Sequence, residues 1–175
     1  MIKYIVQKDQ VKQIIIREGG EYVVDLVGEG AEAEILGGFV VDGNKKEKVV
    51  LNIFHKAKNT KADTLLKAVV LDSGEVDIRG KIIVEKKAQQ TESFLQERVL
   101  MISDKAKATA IPDLEIEANE VKCSHAAAVG KIDADQLYYL MSRGIDEKKI
   151  RNPGFIDPGV GRLFVPGKAD GDETV

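Results

Sequence analysis

"TLLKAVVLDSGEVDIRGKIIVE", residues 64–85, is two short apolar runs divided by Asp72, Ser73 and Gly74. Val69, Val70, Val76, Ile78, Ile82, Ile83 and Val84 are β-branched, a side-chain type that fits a pleated strand better than a helix. Neither run is long enough for a stable helix, and the turn residues between them end both. The same texture extends both ways: residues 11–18, 21–28, 31–43 and 47–57 on one side, 93–103 and 113–130 on the other. Two architectures hold this many short strands. One is an antiparallel sandwich or barrel; the other is a parallel β-helix, whose successive coils stack. A sandwich is usually joined by Asn-Gly or Asp-Gly hairpins. In the strand-rich part only Asp42-Gly43 has that form, and aromatic residues are 5% with no Trp. Both features favour thin stacked coils, although no repeat stands out residue by residue.

The bulk composition narrows the function classes. The chain has 175 residues, 43% apolar and 31% charged, with a formal net charge of −3. That charge offers no basic excess to neutralise phosphates, so nucleic acid is not an expected partner. No stretch reaches the roughly 20 apolar residues of a membrane span, and none is expected. The first residues lack the apolar core and cleavage site of a signal peptide. One cysteine makes no internal disulfide, so a cytoplasmic location is expected. No G-x-x-x-x-G-K-[ST] is present, so ATP hydrolysis by a P-loop is not expected of this chain.

The pattern changes after residue 130. Leu137, Leu140 and Met141 recur at helical spacing; Asp133 suits the N-cap, Gln136 the capping box and Gly144 the C′ position. A helix is expected over 133–143. The expected organisation is a β-helix core over 1–130, a helical segment over 131–152 and a Pro/Gly-rich, partly disordered tail over 153–175.

Just before that change lie the only cysteine, Cys123, and one of the two histidines, His125. In a strand, residues i and i+2 share a face about 7 Å apart. A thiolate and an imidazole suit iron, zinc or copper, but two ligands do not close a site. A partner copy is one way to supply the rest. Val121, Ala127 and Val129 share the same parity, so the alternative is an interior face with the thiol packed as a small hydrophobe. A Cys–His nucleophilic dyad is not expected, because same-face strand neighbours stand too far apart.

The stretch "PDLEIEANEVKCSHAAAVGKID" (112–133) leading into "LYYLMSRGI" (137–145), with "GKIIVEKKAQQTES" upstream, resembles the SufB/SufD family of iron–sulfur cluster assembly proteins. The resemblance covers about half of the chain, residues 54–145. It implies a right-handed parallel β-helix with a C-terminal helix. It also implies a non-catalytic scaffold or accessory subunit of the SUF system, working with a SufC-like ABC ATPase and a SufB-like protein and pairing through its β-helix. The expected assembly is a homodimer. Cys123 and His125 match the cysteine and histidine that the family assigns to cluster assembly. The implied cargo is a transient iron–sulfur cluster or iron, with no stably bound group as the alternative. Three departures stand out: Ala126 replaces the family's glycine after C-S-H, the region preceding the β-helix is largely absent, and the helical part is short. They motivate a second reading, a structural or regulatory paralogue without cluster chemistry.

Two further candidates are weaker. His55 reads as a surface or turn histidine, with coil packing or the turn before Thr60 as the reason for its presence. Glu115 and Glu117 read as a solvent-facing row. Paired carboxylates also serve carbohydrate-active β-helix enzymes, which makes such an enzyme the rival from another class. The lack of aromatics for sugar stacking counts against it.

Overall fold

A computed structural model describes residues 1–131 and 134–144. Ten strands there alternate between two sheets of five. β1 (Ile2–Val6), β3 (Gly20–Leu26), β5 (Lys46–His55), β7 (Glu75–Val84) and β9 (Lys107–Ile116) form one sheet. β2 (Val11–Ile16), β4 (Glu32–Val41), β6 (Lys61–Val70), β8 (Thr91–Met101) and β10 (Val121–Lys131) form the other. Each strand pairs in parallel with the next strand but one in the chain. This is a parallel β-solenoid, the architecture that the scarcity of hairpin dipeptides and aromatics favours, and not the sandwich. One reading needs correction. Residues 113–130 are not one strand: β9 and β10 lie in different sheets, separated at residues 117–120. The opening residues add a strand, β1, to the expected set.

Each later coil takes about 30 residues, within the usual range for solenoids. Tyr22 pairs with Leu51, and Lys46 with Glu75. One stack of turns holds the register. Asp9, Gly30, Asn59 and Gln90 all take positive φ, at 55°, 72°, 58° and 59°. Each sends its N–H to the next coil: to the carbonyl of Glu29 at 3.0 Å, Lys58 at 3.3 Å, Gln89 at 2.9 Å and Glu120 at 2.6 Å. Asn, Asp and Gly tolerate that left-handed backbone best, and Gln90 is the exception in the stack.

Strand alternation sends every second side chain inward. In the β1–β9 sheet, Val24, Ile53, Ile82 and Leu114 form one in-register row. In the other sheet, Ile14, Ile35, Thr64, Leu95 and His125 form a second. The first four of those five are buried, and His125 is exposed. A third row runs Ala33, Ala62, Ser93, Cys123, all small. The last described element is a helix, α1 (Ala134–Ser142), followed by Gly144 at φ 78°. The capping residue expected there, Asp133, and the tail beyond 144 lie outside the described residues.

Candidate functional site

Among the described residues, β10 is an edge strand, bonded on one side to β8. Its register places Cys123 beside Ser93, His125 beside Leu95 and Ala127 beside Glu97. Ser93, Leu95 and Glu97 are fully buried, so Cys123 and His125 carry the inward parity of the solenoid. The two readings of that face therefore meet. It is the inner face, yet at the last described coil it is open: Cys123 is half-buried and His125 exposed. Burial pushes the Cys123 thiol up, and the Ser93 backbone amide, donating toward the sulfur, offsets part of that. A thiol in this setting is protonated at neutral pH, and a soft metal ion must displace its proton to bind. Among the described residues, no group of three or more His, Cys, Asp or Glu is placed to hold a metal ion. Cys123 and His125 thus remain two donors on one face.

Beneath them lies a polar cluster that the sequence reading missed. His55 is not at the surface. It is fully buried, its Nδ1 2.8 Å from Thr60 Oγ1 and its Nε2 3.0 Å from Ser93 Oγ. The hydroxyls of Thr60 and Thr91 each reach the carbonyl three residues back, Ala57 at 3.2 Å and Ala88 at 2.9 Å. Their oxygens lie 3.0 Å apart. With the Thr60 hydrogen directed to Ala57 or Thr91, Thr60 Oγ1 accepts from His55 Nδ1–H. That leaves Nε2 bare, so Ser93 Oγ–H donates to it. Burial alone lowers the His55 pKa to about 4, so the ring is neutral. The small row Ala33, Ala62, Ser93 on the facing sheet leaves room for this imidazole.

Glu97 is the second missed residue. It is fully buried, and among the described residues neither carboxylate oxygen has a hydrogen bond of normal geometry. Burial pushes its pKa up to about 7; the Gly80 amide opposes the rise and Asp77 adds to it. The carboxyl occupies the space a side chain at position 80 would take: a Cβ on Gly80 would lie 2.6 Å from Glu97 Oε1 and 2.6 Å from Leu95 Cδ2. Glu115, by contrast, is exposed as expected and pairs with Lys81 at 2.7 Å.

Fold and site together define a class: a two-sheet parallel β-solenoid that ends, in its described part, on an edge strand carrying a thiol and an imidazole on one face. A family model described as "SUF system FeS cluster assembly, SufBD core domain" matches residues 17–152, and the chain belongs to that family. It is similar to the iron–sulfur cluster assembly protein SufD of Bacillus subtilis, 34% identical over 150 residues, covering 84% of this chain and 34% of that protein. An iron–sulfur cluster assembly SufBD family protein of Mycobacterium bovis is 31% identical over 176 residues, covering 91% of this chain and 44% of its own length. A third, from Pyrococcus horikoshii, is 40% identical over 95 residues, 53% of this chain and 21% of its own. The chain thus spans less than half the length of these curated relatives.

Proposed function

We propose that this chain acts as a scaffold or accessory subunit in iron–sulfur cluster assembly, with Cys123 and His125 as a half-site that a partner strand completes. The observation that carries the reading is their shared inward face on the last described strand of its sheet. A thiol and an imidazole are donors of the right softness for iron, and the described residues supply two of the four or so that such a site needs. The missing donors come from a second molecule. The iron or cluster is cargo here: the chain's own residues bind it, orient it and release the thiol proton on binding. A SufC-like ATPase and a SufB-like protein are the partners that membership of the family suggests.

β10 also supports pairing on geometric grounds. It is eleven residues long, contains no proline, and its outward positions are Lys122, which pairs with Glu92 on β8, and then the small Ser124, Ala126, Ala128 and Gly130. A long, flat edge with small side chains is a template for another strand. β9, the last described strand of the other sheet, carries Pro112 and the acidic pair Asp113 and Glu115 on Lys81, which blunt it.

Anaerobic reconstitution with iron and sulfide tests the reading. Visible absorption that falls in both Cys123→Ser and His125→Ala is expected. Intact pairing with no bound iron in the wild type would instead favour the paralogue without cluster chemistry, which Ala126 motivates. Cleavage of a polyuronate would favour the carbohydrate enzyme.

A further inference from the structure

Every polar group in the His55 cluster is matched, in a core that is mostly apolar. Thr60 and Thr91 each also bond the carbonyl three residues back, within their own turn. Its inner end is Ser93, the in-register neighbour of the lone thiol. Side chains so placed on adjacent strands stand about 5 Å apart, within reach of one another after a single rotation of the serine. Yet Ser93 Oγ points away, to His55 Nε2, and only the Ser93 amide faces the sulfur. Were the imidazole absent, the buried hydroxyl would lose its acceptor. An unpaired buried hydroxyl is destabilising, and the other side chain in its row able to accept from it is Cys123.

We propose that His55 is a positioning residue for Cys123, acting through Ser93: by holding the serine hydroxyl in the core, it leaves the sulfur with one amide donor, one orientation and its lone pairs open to an incoming metal ion. The role deepens the cluster-assembly reading and rests on it for its purpose, but its geometry can be tested in metal-free protein. Because the chain has a single cysteine, its infrared spectrum carries a single S–H stretching band, whose position and width report the hydrogen bonds at that sulfur.

The wild type should give one narrow band. Ser93→Ala should leave it in place, because the hydroxyl does not touch the thiol. His55→Leu should shift or split it, and the double variant His55→Leu/Ser93→Ala should restore it. His55→Gln, which keeps a donor for Thr60 and an acceptor for Ser93, should resemble the wild type. A band that moves in Ser93→Ala, or one that stays fixed in a folded His55→Leu protein, overturns the proposal. If His55→Leu does not fold, His55→Leu/Thr60→Val, which leaves no threonine oxygen unpaired beside the new side chain, takes its place: the band should shift or split, and a fixed band overturns the proposal. Iron uptake by the same variants is a separate measurement. Bands that behave as expected with no iron bound in the wild type would sink the cluster reading and leave the positioning role standing.

Discussion

Two buried groups in this core titrate in opposite senses. His55 is neutral when folded, with a pKa near 4 against 6.5 for the free side chain. Below pH 6.5 the unfolded chain binds a proton that the folded chain refuses. The contribution of His55 is therefore complete above pH 6.5 and is lost as pH falls toward 4. Glu97 runs the other way, with a folded pKa near 7 against 4.5. Its contribution is complete below pH 4.5 and is lost as pH rises to 7. Each slope is about 1.4 kcal/mol per pH unit, so between pH 4.5 and 6.5 the two offset one another. Urea unfolding across that window should separate them. Relative to the wild type, Glu97→Gln should gain about 2–3 kcal/mol between pH 4.5 and 6.5, and be the more stable protein at pH 8. Relative to the wild type, His55→Gln should lose a similar amount over the same rise, since only the Glu97 slope remains. Parallel curves for either variant and the wild type would show that the group does not titrate as its burial implies.

At the level of the strand, register is written in charge as well as in hydrophobicity. Glu32, Lys61, Glu92 and Lys122 form one row across four strands, each opposite its complement. Lys61 meets Glu32 at 3.3 Å and Lys122 meets Glu92 at 2.8 Å. Exposed pairs of this kind are worth well under 1 kcal/mol each, but a one-residue slip would turn the whole row inward. Inside, the space left by Gly80 is the tightest constraint. Gly80→Ala should cost about 1–3 kcal/mol in thermal or urea unfolding, because Leu95 and Glu97 must both move. Gly80→Ala on a Glu97→Gln background should cost nearly as much, since the amide has the same shape. The strands themselves were legible from β-branched runs and turn residues. The assignment of alternate strands to two sheets was not, because it depends on pairing between residues about 30 positions apart. The repeat hides in turns that differ by a residue or two and use Asp9, Gly30, Asn59 and Gln90 at one position. A-x-x-T, at Ala57–Thr60 and again at Ala88–Thr91, was the available signal. The surface placement of His55 failed for the same reason, since its partner Ser93 is 38 residues away, whereas coil packing against the turn at Thr60 is what the structure shows. The common face of Cys123 and His125 followed from strand alternation alone. That this face is both interior and open follows only from knowing which strand comes last in its sheet.

Across the whole molecule, a solenoid shields its inner face by stacking, and its end coils are where stacking runs out. β10 is such an end in the described structure, and pairing through its free edge would bring two Cys123–His125 pairs to one interface. In a parallel strand, successive residues send their backbone groups alternately to one neighbour and to the other. Of Ala126→Pro and Ala127→Pro, one therefore removes an N–H that bonds β8 and the other an N–H that faces the free edge. The first should lower thermal stability by about 3 kcal/mol. The second should leave the melting temperature within a few degrees and reduce self-association, read by light scattering at tens of micromolar. Iron retained on reconstitution should fall with the second variant even though neither ligand has been touched. A dimer that survives both substitutions would place the pairing surface elsewhere and leave the half-site without its second donor pair.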